Sequence, residues 1–131
     1  MKKGTVINQG ISDVIAGMGH TDMLVIADAG LPIPNETRRI DLALTAGIPG
    51  FIVTLRTVLA ELQVQEALVA EDTGRTNPRL LAEIKEALGD ARIKQITHQE
   101  LKERCAAAKA VIRTGEFTPY ANIILVAGVV F

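Results

Sequence analysis

The chain has 131 residues, 48% of them hydrophobic, with no Trp, one Tyr and three Phe, so an aliphatic core within a single domain over residues 1–131 is expected. Its net charge of −1, with both signs interspersed, excludes the basic footprint of a nucleic-acid binder or of a partner for anionic membrane. The lone Cys105 excludes an internal disulfide and fits a reducing, cytoplasmic setting, and no run approaches the ~20 apolar residues that span a bilayer.

In chain order, Lys2-Lys3 could open a signal peptide, but Asn8, Gln9, Gly10, Ser12 and Asp13 break any apolar region after it. Ile11, Val14, Ile15 and Met18 fall at helical spacing and predict a helix over residues 9–18, with Gly19 as its stop. Met23 to Ala27 is a short unbroken apolar run, the pattern of a strand buried on both faces. Gly30, Pro32 and Pro34 end it in an irregular loop. Residues 39–44 alternate polar with apolar and predict a half-exposed strand, followed by a turn at Gly47 to Gly50. Phe51, Leu55, Val58, Leu59 and Leu62 mark an amphipathic helix, and Ala67 to Ala70 a further strand.

Asp72 to Thr76 is read as a polar loop. Asn77-Pro78 then opens a helix that Gly89 closes, with Leu81, Ile84 and Leu88 on its apolar side. Ile93 to Ile96 predicts a strand, and Thr97 with Glu100 forms a capping box for a helix over residues 98–107. A strand at Ala110 to Ile112 leads through residues 113–122 to an apolar terminal strand from Ile123 to Phe131. Strands alternating with helices indicate an α/β fold, one compact domain with a largely parallel sheet flanked by helices. The mean hydropathy of +0.26 is high for so small a chain, and burial against other copies of itself is the natural remedy.

Chemistry concentrates at the junctions between elements. His20 precedes the central strand, Asp28 follows it, His98 opens a helix, and Tyr120 and Asn122 lie just before the last strand. Asp28 stands where open α/β sheets place their ligands, beyond the carboxyl end of a strand. Histidine exchanges protons near neutral pH, which makes His20 the first candidate for acid/base work. The bland readings are that His20 caps a helix, Asp28 caps a loop, and Tyr120 and Asn122 anchor a turn. At a helix start, His98 suits a hydrogen-bonding role better than a cationic one. There is no Cys cluster, no His pair at helical spacing and no phosphate-binding Gly loop, so metal and nucleotide sites are not expected. The residues alone support a small polar ligand and proton transfer.

Three segments carry a resemblance: Gly19-His20-Thr21-Asp22, Ile26-Ala27-Asp28-Ala29-Gly30-Leu31-Pro32, and the block from Arg113 to Asn122. With His98-Gln99-Glu100-Leu101-Lys102, they resemble the D-ribose pyranase family of sugar mutarotases, from Met1 to Phe131. Residues 51–96 resemble it mainly in length and pattern. The resemblance implies a cofactor-free isomerase that interconverts pyranose and furanose forms of D-ribose. It further implies that His20 donates the proton, that Asp28, His98, Tyr120, Ala121 and Asn122 hold the sugar, and that Lys102 is a neighbour. Family members assemble as rings, commonly decamers. The alternatives are an L-fucose mutarotase and a non-catalytic sugar-binding accessory of ribose uptake.

One geometric difficulty stands. An extended path from His20 to Asp28 covers roughly 20 Å or more, far beyond a pentose. Either residues 19–22 fold back beside the strand end, or one sugar meets two subunits, with Tyr120 and Asn122 expected from the neighbour.

Overall fold

A computed structural model describes residues 1–131. In chain order the elements are α1 (Gln9–Ala16), β1 (Met23–Ala27), β2 (Arg39–Asp41), α2 (Phe51–Leu59), β3 (Val64–Ala70), α3 (Glu71–Thr76), α4 (Pro78–Leu88), β4 (Arg92–Ile96), α5 (His98–Arg104), β5 (Ala110–Arg113) and β6 (Ile123–Ala127). The six strands form one sheet in the order β2-β5-β1-β6-β3-β4. Alternate residues of β1 feed two cores. Leu24 and Ile26 pack with Val14, Phe51, Leu55 and Ile84 on one face, and Val25 and Ala27 with Leu68, Leu101 and Cys105 on the other. The apolar run at 23–27 is therefore buried from both sides, as its composition demands.

The sheet is largely parallel, as expected, but mixed, with one strand of the six reversed. β6 runs antiparallel to both β1 and β3, while β2, β5, β1, β3 and β4 share one direction. The reason is chain length. A parallel return needs a crossover of a dozen or more residues, and only residues 114–122 connect β5 to β6. The chain therefore turns at the carboxyl edge and comes back down the middle of the sheet. That reversal puts the start of β6 beside the end of β1.

Local differences have equally plain causes. β2 stops at Asp41, whose Oδ1 accepts the Ala43 N–H at 3.1 Å and turns the chain. β6 stops at Ala127, and Val129 to Phe131 lie exposed beyond it. Residues 71–76 form a helix where a loop was read. Glu71 and Asp72 sit in its first turn, Arg75 faces both at 3.9 and 3.6 Å, and Thr73 is fully buried. The Asn77 side chain accepts the Leu80 N–H at 3.0 Å, the expected start of α4. Thr97 likewise accepts the Glu100 N–H, but Glu100 turns to Arg104 at 2.7 Å and leaves the capping box half made. The helix predicted over 98–107 ends at Arg104 and tightens into a 3₁₀ turn at Cys105–Ala107.

Candidate active site

The carboxyl edge of the sheet gathers Asp28, Asn122, Tyr120 and His98. Asp28 follows β1 and Asn122 precedes β6, and the antiparallel pairing of these strands sets them face to face. The Asp28 N–H donates to Asn122 Oδ1 at 2.8 Å, and Asn122 Nδ2 donates to Asp28 Oδ2 at 2.9 Å. Asn122 is fully buried, so this reciprocal pair satisfies its amide. Asp28 Oδ1 also accepts the Gly30 N–H at 2.9 Å, so the carboxylate both turns the loop and is held in one orientation. An acid at the end of an apolar strand is thereby supplied with the donors it requires.

His98 is the first residue of α5, and its ring meets the Tyr120 ring edge to face at a centroid distance of 5.1 Å. Its Nδ1 is buried without a partner. Lys102 lies one turn further along α5, on the His98 side of the helix, and makes no ion pair. Ala121 is buried between Tyr120 and Asn122. Beside Asp28 opens a cleft of about 390 Å³, lined by Asp28, Gly30, Arg113, Glu116, Phe117 and Thr118. A more apolar groove between Val6, Ile11, Leu42 and Val53 contains none of the candidate side chains.

His20 is elsewhere. It lies in the turn before β1, at the amino edge of the sheet, in a second cleft of about 400 Å³ lined by Met18, Leu62, Gln63, Gly128 and Phe131. The turn does not fold back. The Thr21 N–H donates to the Ala127 carbonyl and the Ala127 N–H to the Asp22 carbonyl, each at 2.9 Å, pinning it to the end of β6. The five residues of β1 alone separate the two sites by ~16 Å. The expectation that Tyr120 and Asn122 reach Asp28 only from a neighbouring copy is corrected: Asn122 bonds Asp28 within one chain. His20 is the side chain left apart.

The two non-glycine residues with positive φ fall at these two places, Thr21 at 69° and Tyr120 at 62°. For a β-branched residue such as Thr21 this conformation is strained, and strain of this kind collects at functional sites.

Three contributors went unnoticed in the sequence. Thr73, hidden in the supposed loop, donates its hydroxyl to the Tyr120 carbonyl at 2.8 Å. Gln65 Oε1 lies 2.9 Å from His20 Nε2. Glu116 Oε2 accepts the Phe51 N–H at 3.0 Å and Oε1 accepts the Thr118 N–H and hydroxyl at 3.1 and 2.8 Å. It thus caps α2 from across the chain, where Gly50 has no side chain to do so. Burial opposes the Glu116 charge, but the donors from Phe51, Thr118 and Phe117 outweigh it and hold the carboxyl below its ordinary range. Burial pushes the Cys105 thiol up to about 11, which removes it as a nucleophile.

Comparison with known proteins bears on the family and the fold. The model of the RbsD / FucU transport protein family matches residues 1–130. A D-ribose pyranase of Clostridium perfringens is 59% identical over all 131 residues of both chains, and one of Chloroflexus aggregans is 52% identical over the same span. The structure of Bacillus subtilis RbsD complexed with D-ribose superposes with a TM-score of 0.97 at 42% identity, covering both chains in full. The fucose mutarotase of Streptococcus pneumoniae in complex with L-fucose also covers both chains in full, at 25% identity and a TM-score of 0.80. Matched along its length in both sequence and fold, the chain belongs to the RbsD / FucU transport protein family.

Proposed function

We propose that the chain is a D-ribose pyranase, an isomerase that interconverts the β-pyranose and β-furanose forms of D-ribose, with residues 1–131 acting as one mutarotase domain. The observation that carries this reading is the 59% identity, over the full length of both chains, to a protein of that name.

The chemistry is proton transfer around one bond. As the C1–O5 bond of the pyranose breaks, O5 takes a proton and the anomeric hydroxyl gives one up, leaving the open aldehyde. The 4-hydroxyl then attacks C1 and loses its proton while the carbonyl oxygen regains one. No electrons leave the sugar, so the reading assigns no cofactor. His20 is the proton donor in this scheme, a group able to give and take protons near neutral pH. Asp28, with its carboxylate held by Asn122 and Gly30, accepts from sugar hydroxyls. His98, Tyr120, Ala121 and Asn122 complete the cradle, with Lys102 beside it.

A pentose cannot bridge the ~16 Å between the edges. We therefore assign each site to two copies, the carboxyl edge of one facing the His20 edge of the next. Such a head-to-tail contact repeats, and it closes into a ring when its rotation divides a full turn. Exposed Phe117 beside Asp28, and exposed Val130 and Phe131 near His20, suit burial in that contact. A decamer is the assembly proposed, and the cytoplasm the location.

Magnetisation-transfer NMR of D-ribose, with L-fucose as comparator, tests the activity. Wild type should speed pyranose–furanose exchange, and His20→Ala should lose about 10²-fold or more of that acceleration. Acceleration with fucose alone would keep the chemistry and change the substrate. Ribose binding without acceleration would leave a sugar-binding accessory.

A further inference from the structure

A β-bulge in β3 aims one half-buried side chain at His20. Opposite β6, Val64 pairs with Ala127 and Glu66 with Val126, so Gln65 is the extra residue. Bulges bend a strand and redirect the side chain they carry. Here the redirected chain is Gln65, whose Oε1 meets His20 Nε2 at 2.9 Å. An amide oxygen only accepts, so this contact pairs with the tautomer that carries its proton on Nε2 and its lone pair on Nδ1.

The surroundings are built for this contact. The turn that carries His20 is bonded to Ala127, the residue of β6 that faces the bulge, so ring and partner share one anchor. Gly128 follows directly. A Cβ there would stand 3.2 Å from Gln65 Cβ and 3.4 Å from its backbone nitrogen, so a glycine keeps the tail close to the bulge. The charged groups nearby are engaged elsewhere. Asp22 accepts the Gly19 N–H at 2.8 Å and faces Lys109 at 3.5 Å, and Glu61 holds Lys2 at 3.0 Å and the Val6 N–H at 2.9 Å. Gln65 is the sole hydrogen-bond partner of the His20 ring within the chain.

We propose that Gln65 is the positioning residue for His20, holding the imidazole with its proton on Nε2 so that Nδ1 is the atom that exchanges protons with the sugar. The cationic ring donates from Nδ1 and the neutral ring accepts there, so one atom serves both directions of the reaction. A neutral amide suits this role better than a carboxylate, because it orients the ring without favouring the imidazolium. This inference rests on the assignment of His20 to proton transfer.

The test is ¹⁵N NMR of histidine-labelled protein, read beside ring-form exchange of D-ribose. In wild type the neutral His20 ring should carry its proton on Nε2. Gln65→Leu should give a mixture of tautomers and slow exchange about five- to tenfold, with the KM for ribose little changed, the loss expected for one orienting hydrogen bond. Gln65→Glu should restore the single tautomer and move the pH–rate profile to higher pH, because a carboxylate favours the protonated ring. A merely structural Gln65 would leave the tautomer of the Gln65→Leu ring unchanged. A wild-type proton on Nδ1, or a Gln65→Leu enzyme with unchanged tautomer and rate, overturns the proposal. If His20→Ala retains full exchange while the wild-type proton sits on Nε2, the contact stands and the catalytic assignment of His20 falls.

Discussion

At the scale of single residues, the candidate site is a set of polar groups whose partners come from far along the chain. Asp28 and Asn122 are 94 positions apart, yet each satisfies the other in two hydrogen bonds. Glu116 is the less obvious case. Its carboxylate ties the N-terminus of α2 to the loop that leads to Tyr120, and its carboxyl is held below the ordinary range. A carboxyl lowered on folding adds stability that is complete above its unfolded value and fades as pH falls through the folded one. We therefore expect urea midpoints measured below the ordinary glutamate range to fall with pH, and Glu116→Gln to be less stable near neutrality with a flatter acid dependence. Equal pH slopes in the two proteins would remove Glu116 from this role. The residue types at the site were legible because acids, histidines and a tyrosine are conspicuous in an apolar chain. Their partnerships were not, since nothing local to Asp28 points to Asn122.

At the scale of elements, the strands and longer helices were readable because hydrophobic spacing and caps such as Asn8, Asn77 and Thr97 are local signals. α3 was missed because five polar residues and a glycine have no apolar stripe. Its one inward side chain, Thr73, is recognisable only once Tyr120 is beside it. The connection from β5 to β6 shows how tightly the site loop is packed. A Cβ on Gly115 would lie 2.4 Å from the Ile48 carbonyl oxygen and 2.6 Å from that of Thr45, both backbone atoms. Gly115→Ala is therefore expected to cost about 1–3 kcal/mol, through displacement of the Thr45–Ile48 turn. Thermal and urea unfolding would measure this, and a cost near zero would mean that the turn yields freely.

At the scale of the whole molecule, the candidate residues lie at opposite edges of one sheet, and the proposed function makes each edge half of a site. That arrangement predicts complementation. Neither His20→Ala nor Asp28→Ala alone should accelerate ribose exchange. Co-expressed in equal amounts, the two should recover about a quarter of wild-type activity, because about a quarter of head-to-tail contacts pair an intact carboxyl edge with an intact His20 edge. Mixed assemblies that remain inactive would refute the shared site.

The sequence by itself determined the α/β class, the two-faced burial of β1, most element positions, and a resemblance resting on a few short segments. Those are consequences of local spacing and composition. Only the tertiary structure decided that β6 runs against its neighbours, that Asn122 joins Asp28 in the same chain, and that His20 stands at the far edge beside Gln65. Each of these depends on which strand end meets which, and strand order and direction are global properties of the closed chain that no window of residues encodes.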